Sequence, residues 1–140
     1  MSLRSHWPGR DRVTAYHSDG SINQKGTRKF IRFLLDQGVD GLTPLGSAGE
    51  PVAITPRERM QLLEVIAEEN VGEVPIYAGT GDYSTATTVE LSLHAKSLGC
   101  NGLMLMAPLL LRPPKGTCWI TSAESARKLA CPSWCTMPVC

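Results

Sequence analysis

The segment Gly38-Val39-Asp40-Gly41-Leu42 returns 61 residues later, from 38 to 99, as Gly99-Cys100-Asn101-Gly102-Leu103. An echo of this length is two successive units of roughly 30 residues, the size of a strand with its crossover helix. The chain around it fits that unit. Asp19-Gly20-Ser21 marks a turn, and Gln24 to Gln37 carries Phe30, Ile31, Leu34 and Leu35 at helical spacing, closed by Gly38. A short strand is expected over Val39 to Leu45. Thr55-Pro56-Arg57-Glu58 then supplies a capping threonine, a proline in the first turn and a glutamate three residues after the cap. Leu62, Leu63, Ile66 and Ala67 form the apolar face of that helix, which ends at Gly72. Val74-Pro75-Ile76-Tyr77-Ala78 reads as the next strand. Ser84 or Thr85 caps a third helix with Val89, Leu93 and Leu98 expected inward, and Gly99 closes it. Leu103 to Met106 is apolar throughout, as in a strand covered on both faces of a parallel sheet.

Alternating units imply a doubly wound sheet or a barrel. Neither glycine-containing turn matches the G-x-G-x-x-G nucleotide fingerprint, which favours the α/β barrel. A closed (β/α)8 barrel takes about 250 residues. The 140 residues here accommodate about the first four βα units. Open parallel edges would follow, inviting aggregation or pairing with other chains.

Barrel chemistry sits on the loops after the C-terminal ends of strands. Three loops qualify: Gly46-Ser47-Ala48-Gly49-Glu50, Gly79-Thr80-Gly81-Asp82, and Pro108 to Lys115. In the first, two glycines bracket a hydroxyl residue, so backbone N–H groups can face an anion while Ser47 donates or accepts. The bland reading of the same spacing is a tight turn with a capping serine.

The run from Gly38 to Glu50, then Thr55-Pro-Arg-Glu-Arg59, Ala78-Gly-Thr-Gly81, Ser84-Thr-Ala86 and His94-Ala-Lys-Ser-Leu-Gly99, resembles the dihydrodipicolinate synthase / N-acetylneuraminate lyase family. The resemblance covers roughly Val13 to Gly116. It implies a (β/α)8 barrel, a homotetramer, and aldol cleavage or condensation of pyruvate or another 2-oxo acid through a lysine Schiff base. No metal or other cofactor is implied. Ser47 falls on the family's proton-relay hydroxyl, and the backbone N–H groups of Ser47 and Ala48 on its carboxylate cradle. Ala48 replaces a usual threonine, and Leu109 and Leu110 replace a frequent tyrosine pair. The family's Schiff-base lysine belongs to the sixth strand and its catalytic tyrosine to the fifth, and neither lies in these residues. Lys25, Lys29 and Lys96 fall on helices, and Lys115 in an Arg-Pro-Pro-Lys loop; none is expected to substitute. His6, His17 and His94 have no metal-ligand spacing.

Composition narrows the remaining classes. A net charge of +1 gives no reason to expect nucleic acid or a membrane surface. Gly102 to Leu111 is the longest apolar stretch, about half of the roughly 20 residues that a span needs. Met1 to Arg12 is polar and unlike a signal peptide, so a cytoplasmic location is the default.

The organisation expected is a half barrel over residues 1–116 and an aberrant tail over 117–140. Four of the five cysteines (Cys118, Cys131, Cys135 and Cys140) lie in that tail, with Trp119 and Trp134. Periodicity ends at Thr117. When the third base of each codon is joined to the first two of the next, Cys118-Trp119 must give Leu, Trp119-Ile120 Asp, Trp134-Cys135 Val, and Met137-Pro138 Ala. Cys135-Thr136 gives Tyr or His. The remaining junctions permit Leu-Leu-Asp-His-Phe-Arg-Arg-Ile and Leu-Pro-Val-Met-Val-Tyr-Asn, which resemble the family's fourth helix and fifth strand. A frame shift near Gly116 is therefore expected, with the chain inactive alone. Two other readings are a non-catalytic fragment that joins full-length subunits, and a small thiol- or metal-binding module on the tail.

Overall fold

A computed structural model describes residues 14–46, 49 and 51–105. Three helices, α1 (Gln24–Asp36), α2 (Pro56–Asn70) and α3 (Thr85–Ser97), accompany two strands, β1 (Tyr77–Gly79) and β2 (Gly102–Met104). A 3-10 turn, Pro51–Ala53, precedes α2. The strands pair in parallel, Tyr77 opposite Gly102, Ala78 opposite Leu103 and Gly79 opposite Met104. Leu42 forms a single parallel bridge to Ile76.

The 61-residue echo is visible in space. A two-unit offset places its copies on alternate strands, and here Leu42 borders the β1 segment on one side while Gly102–Met104 borders it on the other. Gly38 and Gly99 end their helices identically. Both take left-handed φ (70° and 77°), and their N–H groups donate to Leu35 O and Lys96 O at 2.9 and 3.0 Å.

Helix α2 starts as its sequence dictates. The Thr55 hydroxyl accepts from Glu58 N, while Glu58 reaches back to Thr55 N at 3.0 Å. Leu62, Leu63, Val65 and Ile66 are buried, and Asn70 finishes the helix by bonding both ways to Val74. Helix α1 buries Ile31 and Leu34, with Phe30 and Leu35 packed at the cluster's margin. Its outer face reaches α2 through Arg32, which bonds Glu73 at 2.7 Å and the Glu69 carbonyl at 2.9 Å. The core joins these residues to Leu42, Leu45, Ile54, Ile76, Ala78, Ala95 and Leu103. Because α2 packs against both α1 and α3, the helices form one layer over strands that follow chain order.

Two expectations need correction. The strand over Val39 to Leu45 contracts to the Leu42 bridge. Pro44 has no N–H to give a ladder, and Leu45 takes a left-handed φ of 60°, so regular pairing cannot run through them. Backbone bonds from Leu42 N to Pro75 O, Tyr77 N to Leu42 O and Gly79 N to Pro44 O still hold it alongside β1. In α3 the inward face is Thr88, Leu91, Ser92 and Ala95; Leu98, just past the helix, packs against the core as expected, whereas Val89 is half-buried and Leu93 is 48% exposed. Small and hydroxyl side chains let α3 approach closely, and Ser92 Oγ lies 2.8 Å from Thr80 Oγ1. Apolarity alone pointed to the neighbouring face.

Candidate functional site

The loops that follow the strand segments gather at the C-terminal rim of the sheet. The first leaves the Leu42 segment through Pro44 and Leu45. Gly49 N donates to Gly46 O at 2.8 Å, the closure of a four-residue turn, and the Thr14 hydroxyl donates to Gly49 O at 3.3 Å. Thr14, Gly46 and Gly49 are buried. Ser47 and Ala48, between the two glycines, lie outside the described residues, as does Glu50.

The second loop, Gly79 to Asp82, is held to the first by close backbone packing. A Cβ on Gly79 would lie 2.0 Å from Leu45 O and 3.1 Å from Gly46 N. Only glycine permits that approach. Arg59 fixes the same loop from below. Its side chain is 2% exposed, and its Nη2 donates to Gly79 O at 3.3 Å and Gly81 O at 2.8 Å. Its Nη1 donates to Asp82 Oδ2 at 3.1 Å, and its Nε has no partner. Burial pushes the guanidinium below its ordinary pKa, and the Asp82 carboxylate opposes that. Asp82 in turn donates its N–H to Thr88 Oγ1 at 3.1 Å and accepts from Ser84 N at 2.9 Å through Oδ1. The helix N-termini at Thr55 and Ser84 follow these same loops, so the positive ends of two helix dipoles face the rim.

This rim gathers the buried hydroxyls of Thr14 and Thr80 and two positive helix ends, a setting suited to an anionic group. Neither spacing nor family resemblance singles out Arg59 as a functional residue. Its signal was present: it shares one helical stripe with Leu62, Leu63 and Ile66, and a charge on an apolar stripe needs an internal partner.

Lys25 and Lys29 are exposed on α1 and Lys96 on α3, away from a desolvated pocket. His17 is exposed, and His94 on α3 meets Glu64 of α2 at 3.2 Å. His6, Leu109, Leu110, Lys115 and the cysteines of the tail lie outside the described residues. Among the described residues no three of His, Cys, Asp and Glu converge as a metal site. No described helix is long and apolar enough to cross a membrane.

Residues 11–118 match the dihydrodipicolinate synthetase family. A 4-hydroxy-tetrahydrodipicolinate synthase of Desulforamulus reducens is 39% identical over 101 residues, 72% of this chain and 34% of that protein. One from Methanococcus vannielii is 37% identical over 97 residues, 69% of this chain and 34% of that protein. The chain thus spans about a third of the length of these curated relatives. Among solved structures, YagE, a prophage protein of the dihydrodipicolinic acid synthase family from E. coli K12 in complex with pyruvate, superposes with a TM-score of 0.86. It is 27% identical, over 94% of this chain and 45% of that one. N-acetylneuraminate lyase from Mycoplasma synoviae gives 0.87 at 25% identity, over 93% and 46%. The described units are therefore the first part of a TIM barrel, and the chain belongs to the dihydrodipicolinate synthetase family.

Proposed function

We propose that this chain supplies the carboxylate-cradling rim of a lyase or synthase that handles pyruvate or another 2-oxo acid through a lysine Schiff base. The observation that carries the reading is the Gly46–Gly49 turn, closed at 2.8 Å at the end of the first described strand segment. Barrel enzymes place their chemistry at such strand ends, and the YagE structure is a pyruvate complex from the same family. In this reading the N–H groups of Ser47 and Ala48 hold the substrate carboxylate, and the Ser47 hydroxyl relays a proton. Ala48 supplies its backbone donor without a hydroxyl. The whole enzyme would be a cytoplasmic homotetramer.

A Schiff base forms when a lysine amine adds to the C2 carbonyl of the 2-oxo acid and water leaves. The amine must be unprotonated, which calls for a desolvated pocket. Lys25, Lys29 and Lys96 are exposed. By family pattern the reacting lysine and its tyrosine belong to strands six and five, encoded in a second frame beyond Gly116. Taken alone, residues 1–140 are then inactive, with 1–116 barrel and 117–140 out of frame.

Borohydride trapping tests this. The chain alone, incubated with pyruvate and reduced, should acquire no adduct by mass spectrometry. The frame-restored product should acquire one pyruvyl adduct, on a lysine beyond residue 116. An adduct on Lys25, Lys29, Lys96 or Lys115 of the chain itself would contradict the reading.

A further inference from the structure

We infer that Arg59 is a positioning residue for the rim, one that sets the carboxylate-binding turn without touching substrate. This rests on the function proposed above and assigns the turn's support to one side chain. The guanidinium is buried to 2% exposure and spans three acceptors of the second loop: Gly79 O, Gly81 O and the Asp82 carboxylate. Gly79 is also the residue whose Cα faces the Leu45 carbonyl so closely that a Cβ would sit 2.0 Å from it. Leu45 leads directly into Gly46, whose carbonyl accepts from Gly49 N. A physical chain therefore runs from Arg59 through Gly79 to the start of the candidate turn, with no flexible side chain between the two backbones.

The planar fork matters as much as the charge. One guanidinium nitrogen reaches two carbonyls while another reaches the carboxylate, and a lysine ammonium cannot span that set from one point. Freed of Arg59, Gly79 to Asp82 would have two carbonyls and a carboxylate turned toward a helix without donors. The loop would have to move to hydrate them. Leu45, in contact with Gly79 and already at left-handed φ, would follow.

Hydrogen exchange read by mass spectrometry on the 140-residue chain and its Arg59→Lys and Asp82→Asn variants tests the inference. Exchange at the segments covering residues 45–49 and 77–82 should rise about tenfold or more in Arg59→Lys, and by less in Asp82→Asn. Residues 28–35 of α1 should keep wild-type exchange. Wild-type rates at 45–49 in Arg59→Lys would overturn the inference. So would equal acceleration everywhere, which would make Arg59 a general stability residue, and so would unprotected 77–82 in the wild type. Adding millimolar pyruvate separates the underlying reading. Slower exchange at 45–49 in the wild type, lost in Arg59→Lys, supports both. No pyruvate effect in the wild type counts against the carboxylate role of the turn, while the ligand-free rates still decide the role of Arg59.

Discussion

Replacing Gly79 with alanine tests the close approach of the two rim loops. The new Cβ would meet Leu45 O at 2.0 Å, Leu45 C at 2.5 Å and Gly46 N at 3.1 Å, all backbone atoms. Relieving the worst of these requires a separation of more than about 1 Å. Neither partner can yield easily. Gly79 is in β1, registered with Met104, and its carbonyl is held by Arg59. Leu45 is buried and at φ 60°. The cost belongs at the upper end for overpacking, about 3 kcal/mol. Gly38→Ala is the control: nothing lies within 4 Å of its Cβ, but φ is +70°, so the penalty is conformational and about 1 kcal/mol. Urea titrations followed by far-ultraviolet circular dichroism, at concentrations that keep the chain dispersed, give both values. A Gly79→Ala unfolding free energy within about 0.5 kcal/mol of wild type would refute the close approach, and with it the coupling of the two rim loops.

Other consequences are as direct. Thr55→Ala removes the cap of α2 and should cost about 1 kcal/mol in the same titration. The Thr55 hydroxyl and N–H hold the Glu58 carboxyl below its ordinary value of 4.5. A depressed folded value means that the cap's contribution is complete above the unfolded value and is lost as pH falls through the folded one. Stability should therefore begin to fall below about pH 4.5, and Glu58→Gln should flatten that part of the profile. Leu91→Ala should cost about 2–4 kcal/mol, whereas Leu93→Ser should stay within about 0.5 kcal/mol; similar losses at both sites would put the inward face of α3 in the wrong place. Burial pushes the Cys100 thiol up to about 11. Peptide mapping after iodoacetamide at pH 8 should find it largely unmodified in the folded chain and modified in urea.

What the sequence made legible was whatever neighbouring residues settle among themselves. Thr55, Pro56 and Glu58 specify a helix start within four positions, and Gly38 and Gly99 mark two stops by a conformation that other residues resist. The echo around them marked a repeating unit of roughly 30 residues, and the parallel order of three strand segments came only with the structure. Contacts distant in sequence were harder to read. Leu93 looks like core, yet the close approach of Ser92 to Thr80 turns α3 so that Leu93 faces out. The strand at Val39 to Leu45 has the right composition, but Pro44 and the left-handed Leu45 bend it away toward the rim. Arg59 stood on an apolar stripe, while its partners at Gly79, Gly81 and Asp82 are 20 or more residues away. For the site, the glycine bracket at Gly46 and Gly49 was legible, and its hydrogen bond to Thr14, 35 positions earlier, was not.

The most direct test of an interrupted Schiff-base lyase is the nucleotide sequence of the coding region, read past the codon for Gly116. The account predicts a second frame that resumes there, running through Leu-Pro-Val-Met-Val-Tyr-Asn into a later strand with a buried lysine. A gene with no such continuation would contradict it. The cysteine-rich tail would then be a genuine part of the protein, and the aldol mechanism would have to be withdrawn for this chain.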